Sequence, residues 1–238
     1  MKDSIQPALY LIPVELGDAP QEQVFPPYNR EVILGIRHFI VEEVRSARRF
    51  LKRVDRDINI DELSFHPMGK HADSGNYISY LKPLEAGEPM GIISEAGCPA
   101  VADPGADVVA IAQRKGLKVV PLVGPSSMIM ALMASGLNGQ SFAFNGYLPI
   151  DPSDRKKQIK LLETRAIKEH QTQLFIETPF RNHKLFETLC QTLHPQTRIC
   201  VAAGITTNDE WICTRTAGEW KRTTIPDLSK IPAIFLIG

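Results

Sequence analysis

The first half of the chain alternates short apolar runs with longer amphipathic stretches, and few folds accept that order. Leu9–Ile12 reads as a strand ended by Pro13, and Ile36–Val41 as a second. Leu63–His66, Gly91–Ser94 and Lys118–Leu122 follow as further strands. Between them, Val44–Val54, Asn76–Leu84 and Ala106–Arg114, the last closed by Gly116, carry helical spacing. Repeated strand–helix alternation predicts a mostly parallel sheet flanked by helices. The second half changes style. Helices are expected over Ser126–Ser135, Ser153–Glu169 and Phe180–Leu193, with strands at Phe142–Phe144, Leu174–Glu177, Arg198–Ala202, Trp211–Arg215 and Ala233–Ile237. Strands in succession with fewer helices predict an α+β half with a mixed sheet. The expected fold is therefore α/β with two domains, 1–123 and 124–238, meeting near Val123-Gly124-Pro125.

Composition narrows the functional classes. The chain has 238 residues, of which 43% are hydrophobic, too many for a disordered state. Its most apolar stretch, 119–137, is interrupted by Pro121, Gly124, Pro125 and two serines, so no membrane span is expected. The residues from Met1 to Pro7 contain no apolar core of a signal peptide. Cys98, Cys190, Cys200 and Cys213 form no C-x-x-C pair and have no zinc-finger histidines, so no metal site is expected. A reducing, cytoplasmic compartment is the expectation. Lys and Arg total 27, as do Asp and Glu, for a formal net charge of +0. Nucleic acid would then need a local basic patch, because no global field draws it in.

Two loops carry the chemistry. Ser94–Gly105, SEAGCPAVADPG, follows an expected strand and precedes an expected helix. Ligands of open α/β sheets sit beyond the carboxyl ends of the strands, and small residues let them approach the main chain. The loop has neither G-x-G-x-x-G nor a phosphate-loop lysine, which disfavours a nucleotide phosphate. Pro121–Ser127, PLVGPSS, ends a strand and opens a helix, where Ser126 or Ser127 suits an N-cap. No histidine stands at hydrolase spacing to either serine.

These segments resemble the tetrapyrrole (corrin/porphyrin) methylase superfamily, and within it the small-subunit rRNA 2′-O-ribose methyltransferase I family. SEAGCPAVADPG is similar to that family's SDAGTPLISDPG, and PLVGPSS to its PLPGPCA. Ser135–Pro149, SGLNGQSFAFNGYLP, resembles SGLPSDRFxFEGFLP, and Phe175–Arg181 resembles FYESPHR. The resemblance implies two α/β domains with S-adenosylmethionine held in the cleft between them, largely by main-chain contacts, and a homodimer. Carried over by position, it implies cofactor contacts at Leu16, Gly97, Cys98, Val101, Ser126, Ser127, Glu177 and Thr178.

The substrate side of the pattern departs from the family. AEDTRHT becomes Val41–Ala47, keeping an acid and an arginine, while RELTK becomes Ala203–Thr207 without Arg, Glu or Lys. A ribose hydroxyl is a weak nucleophile that a general base would help. Glu43 and Arg45 are the catalytic candidates, Glu43 as base and Arg45 as an anion contact; both equally suit an ordinary helix start. His66 is a third candidate. Arg45, Arg48, Arg49, Lys52, Arg53 and Arg56 recur at helical spacing, opposite an apolar stripe of Val44, Ala47, Leu51 and Val54. This face suits small-subunit RNA or plain solvation, as does Arg155-Lys156-Lys157. Three readings stand at this point: methyl transfer to rRNA, methyl transfer to a tetrapyrrole or other small molecule, and an inactive cofactor- or RNA-binding homologue.

Overall fold

The computed structural model describes residues 5–68 and 77–238. Met1 to Ser4 and Asn76, the expected first residue of a helix, lie outside the described residues. The chain divides into two compact units, Met1–Ser126 and Ser127–Gly238.

The first unit runs β1 (Leu9–Ile12), α1 (Gln21–Val24), α2 (Pro27–Leu34), β2 (His38–Val41), α3 (Val44–Val54) and β3 (Ser64–Pro67). It continues with α4 (Tyr77–Tyr80), α5 (Lys82–Glu85), β4 (Met90–Ile93), α6 (Ala106–Arg114) and β5 (Val119–Pro121). The sheet order is β3-β2-β4-β1-β5, and all four pairings are parallel. The two-residue period of the strands sorts their side chains between two cores. Tyr10, Ile12, Phe39 and Val41 pack with Val32 and Ile33 of α2 and Ala47, Phe50 and Leu51 of α3. Leu9, Ile40, Met90 and Ile92 face Leu81, Leu84, Val108 and Ile111, from the α4–α6 side. A sheet buried on both faces explains why its strands read as continuous apolar runs.

Helix α3 has the bounds read from the sequence. Its buried stripe gains a member: Phe50 is buried with Ala47 and Leu51, whereas Val44 and Val54 are half-buried. Helices α1 and α2 lie in a segment to which no element was assigned. Each starts after a proline, and α2 carries Pro27 at its first position, where a missing N–H costs nothing. Buried Asn29 of α2 donates from Nδ2 to the Val123 carbonyl at 2.7 Å, tying this helix to the loop after β5.

The second unit contains α7 (Ser127–Ser135), β6 (Phe142–Tyr147), α8 (Pro152–Lys168), β7 (Thr172–Ile176) and α9 (Pro179–Thr192). After these come β8 (Arg198–Ala203), β9 (Trp211–Thr216), α10 (Ala217–Trp220) and β10 (Ala233–Ile237). Its sheet is mixed, in the order β6-β7-β10-β8-β9, with β6 and β7 parallel and the other pairs antiparallel. One face, with Phe175, Val201 and Phe235, packs on Ile159 and Leu162 of α8 and Leu185 and Leu189 of α9. On the other, Thr214 donates from Oγ1 to the Ser135 carbonyl of α7 at 2.7 Å.

Arg155 corrects one expectation. It is buried, and its guanidinium donates to the Pro149 and Ile150 carbonyls at 2.8 and 3.0 Å. Its charge serves the start of α8 and is withdrawn from any RNA surface; Lys156 and Lys157 stay exposed.

Candidate functional site

Beyond the end of β1 the chain pairs with the loop after β4. The Val14 N–H donates to the Gly97 carbonyl and the Gly97 N–H to that of Val14, both at 2.9 Å. Gly97 has φ +70°, and a Cβ there would lie 3.3 Å from Leu16 Cδ2 and 3.6 Å from the Pro125 carbonyl oxygen. Gly124 is constrained by proximity alone: a Cβ there would sit 2.3 Å from Pro13 Cβ. Three loops thus meet at the carboxyl ends of β1, β4 and β5, bringing together Leu16, Gly97, Cys98, Val101 and, next to Pro125, Ser126.

The loop after β4 is strained and carries no cation. Ala100 and Ala102 both adopt positive φ, at 64° and 60°, which costs on the order of 1 kcal/mol or more each for residues with a Cβ. Val101 between them is 50% exposed, and its N–H donates to the Cys98 carbonyl at 3.3 Å. The Cys98 thiol lies 3.5 Å from the Pro125 carbonyl, and burial pushes its pKa up, so it is a packing group rather than a nucleophile. Burial likewise raises the carboxyl of Asp103. No Lys or Arg occurs from Ala96 to Gly105 or from Pro121 to Ser127. Such a surface suits a ligand without a polyphosphate, and nothing in it repels a cation.

Beside this junction lies a cavity of about 250 Å³, lined by Val14, Ile93, Ser94 and Glu95 from the strand ends and by Ser46, Arg49 and Arg53 of α3. Glu95 and Ser46 were not among the candidates read from the sequence, and Arg49 and Arg53 were read there as members of one basic face. Arg49 and Arg53, four residues apart, share the side of α3 that faces the strand ends. Arg48 instead lies 5.4 Å over the Phe65 ring, Lys52 donates to the Arg56 carbonyl, and Arg56 falls beyond the helix, which ends at Asp55. The single basic face of the sequence is therefore divided in two.

Glu43 is the N-cap of α3; its Oε1 accepts from the Arg45 main-chain N–H at 3.0 Å, and the Arg45 side chain is exposed. His66, on edge strand β3, stacks with His38 at 5.8 Å and meets Tyr80 at 5.1 Å. Burial first, and His38 second, lower its pKa.

The remaining residues carried over from the resemblance lie in the second unit. Ser127 opens α7. Glu177 follows β7 with its carboxylate buried, accepting from the Thr178 N–H at 2.7 Å and the Arg181 guanidinium at 2.6 Å. Ala203 is buried in β8, and Gly204, at φ +60°, opens the turn to β9, where the Thr207 N–H returns to its carbonyl. That segment is a self-bonded hairpin turn.

A protein of Vibrio cholerae called ribosomal RNA small subunit methyltransferase I is 31% identical over 209 residues, covering 87% of this chain and 67% of that protein. The chain belongs to the small-subunit ribosomal RNA methyltransferase I family. Relatives of the same name in Pseudomonas aeruginosa and Escherichia coli are 36% and 27% identical, over 76% and 91% of this chain. The chain spans 59% and 72% of their respective lengths. No family model matches. Among solved structures, the methyltransferase CobJ aligns with a TM-score of 0.62 at 16% identity, covering 97% of this chain and 93% of that one. A uroporphyrin-III-C-methyltransferase from Thermus thermophilus aligns at 0.53, also with 16% identity, covering 97% and 91%. This methyltransferase I family member thus has the two-domain tetrapyrrole-methylase fold and is a methyltransferase. Among its described residues no helix is long and apolar enough to cross a membrane, and no cluster of three or more His, Cys, Asp or Glu could hold a metal.

Proposed function

We propose that this protein transfers a methyl group from S-adenosylmethionine to a ribose 2′-hydroxyl of small-subunit ribosomal RNA. The observation that carries the reading is the 31% identity to a small-subunit rRNA methyltransferase over 87% of the chain. The residues of the first unit fit the methyl donor. Gly97 leaves the main chain open beside Leu16, the loops carry no cation, and the Glu95 and Asp103 carboxylates supply negative charge near a sulfonium. Leu16, Gly97, Cys98, Val101 and Ser126 would hold the donor there. Bound, it would supply an activated methyl group. The protein's own part is to align the acceptor oxygen and exclude water, which can supply several kcal/mol of the barrier. In the same reading the enzyme is a cytoplasmic homodimer.

Titration calorimetry with S-adenosylmethionine, followed by radiolabelled methyl transfer to small ribosomal subunits lacking this modification, tests the reading. One ribose methyl per subunit is expected. Donor binding without transfer to RNA would overturn it.

A further inference from the structure

We propose that the cavity between α3 and the ends of β1 and β4 is the sugar–phosphate subsite for the acceptor nucleotide, with Arg49 and Arg53 holding the phosphate and Glu95 taking the hydroxyl proton. The inference rests on the rRNA reading above and assigns residues to its acceptor side. At about 250 Å³ the cavity is smaller than sites that enclose a whole small molecule, roughly 300–1,000 Å³, so it suits one unit of a longer ligand.

Its charges are arranged for such a unit. Glu15, 7% exposed just after β1, receives the Arg53 guanidinium, NH2 to Oε2 at 3.1 Å and Nε to Oε1 at 3.4 Å. The Gln21 amide also donates to Oε1, at 2.6 Å. A buried carboxylate thereby fixes Arg53 by one edge, while the guanidinium has five N–H donors and remains 55% exposed. Arg49, one turn earlier, is exposed and makes no ion pair among the described residues. Two guanidiniums on one helix side match a phosphate, which arginine binds in bidentate fashion. From the loop after β4, Glu95 accepts from the Ser46 hydroxyl of α3 at 2.5 Å, which holds the carboxylate at the cavity. Ser94, 3% exposed, also lines the cavity, its hydroxyl directed at the Asp103 carboxyl.

In the reaction, Glu95 takes the proton that the ribose hydroxyl loses as its oxygen forms the new O–CH3 bond. The S–CH3 bond breaks, and its electron pair stays on sulfur, turning the sulfonium into a neutral thioether. The glutamate is close in sequence to Gly97, within the same loop, so base and donor site share one strand end. Glu43 is left as the helix cap.

The test uses the full chain and an unmethylated small-subunit rRNA transcript. Arg49→Gln should weaken RNA binding about tenfold and lower the slope of log affinity against log salt by about 0.9, the value for one phosphate contact. The affinity for S-adenosylmethionine and the melting temperature should not change. Arg53→Gln leaves Glu15 buried without its partner, so the double variant Glu15→Gln/Arg53→Gln is the appropriate second probe and should show the same reduction in slope. Glu95→Gln should bind RNA normally and lose about 100-fold or more in kcat. An unchanged slope in Arg49→Gln overturns the phosphate assignment, and full turnover in Glu95→Gln overturns the base. A wild-type protein that neither binds nor methylates the transcript overturns the rRNA reading and this inference with it.

Discussion

Gly97 and Gly124 lack side chains for different reasons, and the difference is measurable. Gly97 occupies a left-handed backbone region where a branched residue is strained, and it sits on the proposed donor surface. Gly97→Val should weaken S-adenosylmethionine binding at least tenfold by calorimetry. Cys98→Ser should leave it unchanged, because Cys98 would meet the donor through its main chain, while its thiol lies against the Pro125 carbonyl. Gly124→Ala should act on stability instead. Its new Cβ meets the rigid Pro13 ring, and overpacking of this kind costs about 1–3 kcal/mol, visible as a lower melting temperature. A Gly97→Val protein that bound the donor as tightly as wild type would remove Gly97 from the site. Glu43 and Arg45 stood out in the sequence as an acidic and a basic residue that equally suit a helix start, and Glu43 is the N-cap of α3.

At the scale of elements, α8 shows how one buried carboxylate secures a helix to a neighbouring loop, the one between α9 and β8. Burial alone would raise the pKa of Glu163, but hydrogen bonds outweigh it and hold the carboxyl below its usual range. Lys160 donates at 2.8 Å, and the Thr197 hydroxyl and His194 N–H at 2.6 Å each. Its ionised form therefore stabilises the fold at pH values above the unfolded value of about 4.5, and that stability is lost as pH falls through the lower folded value. Glu163→Ala should cost about 1–3 kcal/mol at neutral pH, because Thr197 and His194 lose their acceptor. Denaturant melts at pH 7 and pH 3 should show the difference between variant and wild type shrinking in acid. Elements with a strong period, such as α3 and α6, were legible to the residue. The short ones were not: α1 and α2 are held by tertiary contacts such as Asn29 with Val123, not by a periodic face. Helix α10 was legible but unread, since Thr216 and Glu219 form a capping box of the type S/T-x-x-E.

For the molecule as a whole, 27 cationic and 27 anionic side chains leave no long-range attraction for RNA, so the binding proposed above is local. Arg48, Lys52 and Arg56 do not line the cavity, and in the proposed reading they make a diffuse contact with the RNA. Changing all three to Gln should raise the Kd for rRNA and lower its salt slope by about 0.9 for each phosphate no longer neutralised, while kcat at saturating RNA stays unchanged. Filter binding across a salt series and single-turnover assays would show this; an unaltered slope would make the surface a solvated one. The sequence by itself determined the parallel and mixed sheets and the family, because hydrophobic period and loop composition are local properties of the chain. It also marked the Gly97 and Gly124 loops, whose glycines and prolines record close approaches of the backbone. Only the tertiary structure decided which arginines of α3 face the strand ends, that Glu15 anchors Arg53, and that Glu95 and Ser46 meet. These pairings join residues 38 and 49 positions apart, and nothing local in a sequence encodes a contact made by a sheet bringing distant strand ends together.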